Sequence, residues 1–202
     1  MFTKLLSSVA LLGALAAIAG LGTYATFTST TSASASALAT GNVAIGLGTV
    51  GPANRLTLGA SGLLPGDTMQ RAIDLTNTGL ASSDNLASVQ LTTTAAPSSL
   101  LDTDVTNGLQ MVIDSCSNAW TESGVSPAFT YTCTGTTKSV LATHPVIGAN
   151  MPLLNLASLA PTLTDHLKVT LTLPATAPNT LQALSSTLTY TFTGTQRAAT
   201  SK

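Results

Sequence analysis

The sequence predicts an all-β protein, an antiparallel β-sandwich built from roughly seven to nine short strands. Three observations predict it. Apolar residues alternate with polar residues along many short segments, Gly, Pro, Asn and Asp separate these segments, and threonine is frequent within them. Strict alternation buries one face of a strand and leaves the other in water. Threonine suits pleated strands because β-branched side chains pack well there.

The strand segments follow one another from residue 41 to the C-terminal region. Their alternating apolar positions are Val43, Ile45 and Leu47; Leu56 and Leu58; Met69, Ile73 and Leu75; Val89 and Leu91; Leu109, Met111 and Ile113; Phe129 and Tyr131; Leu167, Val169, Leu171 and Leu173; and Leu188, Tyr190 and Phe192. Turns are predicted at Leu64–Asp67 and Asn77–Gly79. We interpret Gly135–Thr162 as a long connection, in which Met151–Leu159 is a candidate helical turn with Pro152 at its start.

The N-terminal region predicts export. Lys4 precedes a mostly apolar run, Leu5–Gly22, and small residues follow it, which is the pattern of a secretory signal peptide. The run is close to the length of a membrane span, but only one positive charge precedes it and no basic cluster follows it. We therefore expect a protein secreted to the extracellular space or a cell-surface matrix, with a signal peptidase as its partner during export. The predicted divisions are signal peptide 1–26, extended segment 27–40, sandwich 41–195 and flexible tail 196–202.

Charge is scarce in this chain. Charged residues make up 7% of the sequence and the net charge is −1, whereas an average protein is about one-quarter charged. A nucleic-acid-binding protein needs a basic surface, so nucleic acid is excluded as a partner. Proteins with a net charge near zero tend to associate with one another, so the composition favours self-association.

Two cysteines, Cys116 and Cys133, are predicted to form a disulfide because exported proteins keep such pairs oxidised. The loop-entropy model values this bridge at about 3 kcal/mol. Two buried free thiols are the alternative. Trp120 lies between the two cysteines in sequence and is expected to pack over the bridge rather than to stack on a sugar.

Residues that carry chemistry are few. His144 precedes Pro145 in a predicted loop and His166 lies at a predicted strand start beside Asp165. Neither has metal-ligand spacing, and we interpret both as histidines that contact solvent.

Asp102 and Asp104 are the best candidates for a metal, since calcium prefers carboxylate oxygens, but the interpretation as a solvated acidic turn is favoured over a calcium site. Asp67 is interpreted as a turn residue. No catalytic residue, metal or cofactor is expected, and the chain is not expected to be an enzyme.

Several segments together resemble a known family. Gly22–Phe27 resembles the end of signal peptides that a SipW-type signal peptidase cleaves. Leu64–Asp67, followed by a strand and Leu75–Gly79, is similar to the P-G-D … L-x-N-x-G core of the TasA/camelysin family. The remaining similar segments are Cys116–Trp120, Tyr131–Cys133, Asp165–Pro174 and Thr189–Arg197.

The resemblance implies a jelly-roll sandwich that is secreted and assembles head-to-tail into fibres of the extracellular biofilm matrix, with other matrix proteins as further partners. In that family an N-terminal strand of one subunit completes the sheet of the next. The candidate donor here is Phe27–Thr40, with Phe27, Ala33, Ala35, Ala37 and Leu38 as its apolar side chains. Two alternatives stay open: a monomeric secreted adhesion or binding module that uses loops such as Gly135–Thr162, and, less favoured, a camelysin-like metallopeptidase.

Overall fold

Two antiparallel sheets pack face to face in a computed structural model of the chain, which describes residues 28–32, 36–37, 45–56, 58–80 and 84–198. A separate two-stranded hairpin accompanies them. The prediction of an all-β sandwich is confirmed. The predicted signal peptide, residues 1–26, and the predicted strand position Val43 lie outside the described residues. No helix in the described ranges has the length and hydrophobicity of a membrane span.

The first sheet, sheet A, contains six strands in the order β11–β6–β13–β1–β2, and β4 also pairs with β13. Its strands are β1 (Thr28–Ser32), β2 (Ser36–Ala37), β4 (Leu58–Ser61), β6 (Leu86–Ala95), β11 (Gly148–Leu153) and β13 (Ser185–Gln196).

The second sheet, sheet B, contains five strands in the order β10–β7–β12–β5–β3. Its strands are β3 (Ile45–Leu47), β5 (Thr68–Asn77), β7 (Gln110–Cys116), β10 (Thr137–Pro145) and β12 (Thr164–Thr172). The hairpin consists of β8 (Thr121–Val125) and β9 (Ala128–Thr132).

The order of the strands is that of a jelly roll. Eight strands build it, with β4, β13, β6 and β11 adjacent in sheet A and β5, β12, β7 and β10 adjacent in sheet B. The chain passes between the two sheets at almost every connection, which is the double Greek key of this architecture. The jelly-roll form of the predicted sandwich is therefore observed.

The core lies between the two sheets and follows the alternation of the sequence. In β12, Leu167, Val169 and Leu171 are buried while the residues between them are half-buried. In β13, Leu188, Tyr190 and Phe192 are buried between threonines in the same way. The period of two that predicts these strands therefore also predicts which of their residues form the core.

Several elements differ from the prediction, among them β8, which was not predicted. The span Gly135–Thr162 holds strands β10 and β11, so it is not simply a long connection. Met151 belongs to β11 and no helix forms over Met151–Leu159, because the backbone around Met151 pairs with Leu91 of β6. A short helix, α1 (Leu100–Thr103), stands where no helix was predicted.

The predicted turn at Leu64–Asp67 is present. The backbone N–H of Asp67 donates to the carbonyl of Leu64 over 2.9 Å, and the Asp67 carboxylate accepts from the Leu64 N–H over 2.8 Å. The turn at the end of β5 is present as well, where the side-chain oxygen of Asn77 accepts from the N–H of Gly79 over 2.9 Å. Both turns rely on a short polar side chain that bonds to the local backbone.

Candidate functional site

Strand β13 has two different edges. It is twelve residues long, and on one side β6 pairs with it from Leu188 to Gln196. On its other side β4 covers only Ser185–Leu188. The remaining C-terminal half of that edge would expose unpaired N–H and C=O groups, which are a template for pairing with another strand.

Strand β1 fills this position. It pairs antiparallel with β13 from Thr28 opposite Thr195 to Ser32 opposite Thr191. Strand β2 then folds back on β1, with Ala37 opposite Thr31. The candidate donor segment thus contains two short strands that extend sheet A of their own subunit. We use the name assembly edge for the side of Thr191–Thr195 in β13 that faces β1.

The five predicted donor residues are only partly described. Ala37 lies in β2, whereas Phe27, Ala33, Ala35 and Leu38 lie outside the described residues. Their role in assembly stays a prediction. The sequence did not predict the assembly edge, because a strand's neighbour in a sheet depends on long-range pairing and leaves no local signal.

The core beneath the assembly edge is closed by residues of the sandwich itself. An added Cβ at Gly194 would clash with Cδ1 of Ile45 on β3, and Ile45 is buried. Phe192, next to it on β13, is fully buried. A strand at the assembly edge can therefore bind through backbone hydrogen bonds without supplying large side chains to this core.

A disulfide joins Cys116 at the end of β7 to Cys133 just after β9, with Cα atoms 5.8 Å apart. The predicted bridge is confirmed. Trp120 packs in the same small cluster as Cys116, as predicted, and its ring N–H donates to the carbonyl of His166 over 2.9 Å. The ammonium of Lys168 lies 4.6 Å from the centre of the Trp120 ring, in cation–π geometry.

The hairpin lies over the outer face of sheet B and is bound there by a polar network. The Arg55 guanidinium donates twice to the Glu122 carboxylate, over 2.6 and 3.0 Å. The Tyr131 hydroxyl donates to the same carboxylate over 2.7 Å. The hydrogen bond from Arg55 holds the pKa of Glu122 below its ordinary value. Burial, together with the carboxylate beside it, raises the pKa of Tyr131 to about 12.

Arginine also stacks on the hairpin. The guanidinium carbons of Arg55 and Arg71 lie 4.5 and 5.3 Å from the centre of the Phe129 ring. Arg71 is buried, and burial lowers its pKa. The N–H of Tyr131 donates to the side chain of Gln70 on β5 over 3.0 Å. The hairpin is therefore fixed to sheet B by charge, by aromatic contacts and by one covalent bond.

Both histidines belong to strands, so the loop position of His144 is wrong, whereas His166 lies near the start of a strand as predicted. His144 lies in β10, with its ring nitrogen Nδ1 2.7 Å from the carbonyl oxygen of Pro145. His166 lies in β12, with Nδ1 2.6 Å from a carboxylate oxygen of Asp74 on the neighbouring strand β5. The sequence missed this pair because its members are 92 residues apart.

Asp102 is not part of a solvated acidic turn. It is buried, and its carboxylate accepts from the N–H of Ser99 and from the hydroxyls of Ser98 and Ser186, each over 2.6 Å. Together with Ser99 it forms a capping box at the start of α1. Burial raises its pKa, but these hydrogen bonds outweigh burial and hold the pKa below its ordinary value.

Asp104 also uses its carboxylate locally. It accepts from the N–H groups of Thr106 and Asn107 over 3.0 and 2.9 Å, and these bonds lower its pKa. Within the described ranges, no group of three or more His, Cys, Asp or Glu side chains is arranged to hold a metal ion. The two carboxylates that sequence reasoning proposed for calcium are thus engaged in structural hydrogen bonds.

A groove of about 430 Å³ opens at one end of sheet B, and its mixed polar and apolar lining includes Ser115, Ser117, Lys138 and Leu156. Asp165 also lines it, and its two oxygens accept from the N–H groups of Ala157 and Ser158. Part of the groove comes from the Gly135–Thr162 span that sequence reasoning proposed as a binding loop.

The chain matches no protein-family model, no curated protein and no solved structure. Functional conclusions about it rest on its own residues.

Proposed function

We propose that this protein is a secreted structural subunit of extracellular fibres, which assembles when the N-terminal strand of one copy occupies the assembly edge of the next. The similarity of several segments to the TasA/camelysin family motivates the proposal, and the biofilm matrix is the setting it implies. The disulfide between Cys116 and Cys133 is compatible with an extracellular protein.

One observation carries the proposal. One edge of β13 pairs with β6, and the short strand β4 covers only part of the other edge. Strand β1, at the N-terminal end of the described chain, pairs with the rest of that second edge. An edge of this kind accepts any strand of suitable length, because the ladder bonds are made by backbone groups. The same β1 segment can satisfy the edge of its own subunit or that of a second copy.

Such an exchange can repeat from one copy to the next. Donor and acceptor are different parts of the surface, so the contact is head-to-tail and continues from copy to copy as a filament. The donor β1 carries only Thr and Ser, so its binding energy comes mainly from the backbone ladder. A fibre held in this way needs a high concentration of subunits or further contacts between them.

The test links the two strands covalently. Thr30 and Thr193 face each other across β1 and β13, and opposite residues of an antiparallel pair are at a distance that a disulfide spans. In the variant Thr30→Cys/Thr193→Cys, oxidation after assembly should join copies into a ladder on a non-reducing gel. Oxidation of dilute protein before assembly should join the two strands within one copy and prevent fibres.

The control is Thr30→Cys/Thr170→Cys, in which the second cysteine lies on sheet B. It should form no ladder under the same conditions. Fibres, seen by electron microscopy, that form unchanged after the strands are locked within each copy would contradict the proposal.

A second function is favoured by the groove at the end of sheet B and by the fact that β1 pairs with its own subunit. A monomeric secreted binding module would keep β1 in place and use the groove for a small ligand. Static light scattering distinguishes the two functions. A monomer that persists as the concentration rises favours the module.

A further inference from the structure

The two sheets differ completely in charge. The six strands of sheet A contain no Asp, Glu, Lys, Arg or His. The strands of sheet B carry eight such residues, namely Arg71, Asp74, Asp114, Lys138, His144, Asp165, His166 and Lys168. With only 7% charged residues in the whole chain, this separation leaves one whole sheet without any electrostatic repulsion.

The outer face of sheet A is a regular array of threonine. On the central strand β13, Thr187 and Thr189 are exposed and Thr191, Thr193 and Thr195 are half-buried, whereas the residues between them are buried or nearly so. The cross-strand neighbours continue the array: Thr94 is opposite Thr189, Thr92 is opposite Thr191, and Gln90 is opposite Thr193. Opposite residues in an antiparallel pair point to the same face, so these side chains form rows across the sheet.

We propose that this threonine face, defined by the outward residues of β6 and β13, is a contact surface for a second copy of the same chain. A threonine hydroxyl both donates and accepts a hydrogen bond, and its methyl group packs on other methyl groups. An array of threonines therefore complements an identical array turned by two-fold symmetry, which is the requirement for an isologous contact. The contact is separate from the assembly edge and does not depend on strand exchange.

The area of the face is sufficient. Together with the flanking strands β11, β4 and β1, the face contains 37 strand residues, which at ~3.4 Å per residue and ~4.8 Å between strands cover about 600 Å² on each copy. Stable interfaces bury about 800 Å² per partner, and a biological contact needs roughly 1,000 Å² in total. Two copies joined face to face therefore exceed that minimum.

The chemistry of the face favours a second copy over other partners. The outward positions of β6 and β13 hold no aromatic side chain, since Tyr190 and Phe192 point into the core, so the face lacks the stacking platform that sugars prefer. Its lack of charge excludes a strongly charged polymer. Sheet B differs in this respect as well, because the hairpin β8–β9 covers part of its outer face. Within the described ranges, no strand or helix covers the threonine face in this way.

The experiment compares one charge placed on either sheet of the full chain. Thr189 and Thr170 are both outward residues on strands that have a neighbour on each side, and Thr189 lies outside the assembly edge. Thr189→Lys should weaken self-association, measured by sedimentation equilibrium, by about tenfold or more, because two like charges then meet across the two-fold axis. Thr170→Lys is the matched control and should leave the association constant nearly unchanged. Thermal unfolding of both variants confirms that they fold.

A mixing experiment then identifies the face-to-face contact. Thr189→Lys and Thr189→Glu should each associate weakly alone and should associate together at about the wild-type level, since opposite charges now meet. Three results would overturn the proposal: equal effects of Thr189→Lys and Thr170→Lys, no recovery on mixing, or a wild-type chain that associates only when extracellular polysaccharide is added.

Discussion

Sheet A and sheet B are built from the same alternation of apolar and polar residues, yet their outer faces differ in charge and in what covers them. Sheet B carries the charged residues, and a disulfide-anchored hairpin lies over part of it. Sheet A carries uncharged Thr and Ser, and its β13 edge is completed by an N-terminal strand. The comparison teaches that in this chain the cover of one sheet is fixed covalently, whereas the completion of the other is non-covalent.

The largest expected effect comes from releasing the cover of sheet B. The double variant Cys116→Ser/Cys133→Ser should lower the free energy of unfolding by about 3 kcal/mol, because the loop between the cysteines gains freedom in the unfolded chain. Urea titration followed by circular dichroism measures the change. Reduction of the unmodified protein is the control and should give the same loss. An unchanged midpoint would show that the hairpin stays in place without its bridge.

The next effect concerns the one carboxylate that joins α1 to sheet A. Asp102→Asn should lower the free energy of unfolding by about 2 kcal/mol, because the buried Asp102 side chain accepts from Ser186 on β13 and from Ser98. Asp104→Asn is the matched control with an exposed turn, and it should have a smaller effect.

The pH dependence of Asp102 sharpens the same test. Its folded-state pKa is lowered from 3.8, so its contribution to stability is fully present above that value. The contribution is lost as the pH falls through the lower, folded-state pKa. Stability of the wild type should therefore decrease in this acidic range more steeply than stability of Asp102→Asn. Parallel curves for the two proteins would contradict this assignment.

A smaller effect of opposite sign is expected in the core beneath sheet A. The hydroxyl of Tyr190 is buried and has no hydrogen-bond partner within the described ranges, and burial raises its pKa. Tyr190→Phe should raise the free energy of unfolding by about 1 kcal/mol, because it removes an unsatisfied buried group. Tyr131→Phe is the control beneath the hairpin and should lower stability, since its hydroxyl donates to Glu122. Changes in the free energy of unfolding that have the same sign in both variants would contradict this prediction.

The smallest effect is local to the hairpin. Glu122→Gln should weaken the contact with Arg55 and speed hydrogen exchange of the β8 and β9 amides without a measurable change in global unfolding. The pKa of Glu122 in the folded protein is lowered from 4.5. The carboxylate's contribution to the local stability of the hairpin is therefore present above pH 4.5 and is lost as the pH falls through the lower folded-state pKa. Exchange rates that match those of the wild type at neutral pH would show that the disulfide alone fixes the hairpin.

The sequence predicts those parts of the fold that are encoded locally. The alternation of Leu167, Val169 and Leu171, and of Leu188, Tyr190 and Phe192, locates β12 and β13 and their buried faces. It fails at β10 and β11, where irregular register breaks the period of two. The short helix α1 was missed because four residues give no periodic signal.

The candidate site could be predicted only in part. The disulfide is predicted from two cysteines that follow a predicted signal peptide, and the candidate donor segment is what the resemblance to the TasA/camelysin family implies. The partner of that segment could not be predicted, because the pairing of Thr28 with Thr195 spans almost the whole described chain. The ion pair of Asp74 and His166 and the contact of Arg55 with Glu122 are long-range for the same reason.

The pairing of β1 with β13 also sets an order of events during synthesis. Of the described strands, β1 leaves the ribosome first and β13 leaves last, so the N-terminal strand exists for the whole time of translation before its own acceptor is made. In the proposed strand exchange, each new chain therefore begins as a free donor and becomes an acceptor only at completion. Under that proposal, the rate at which finished copies accumulate nearby competes with the rate at which a chain pairs its own β1 with its own β13.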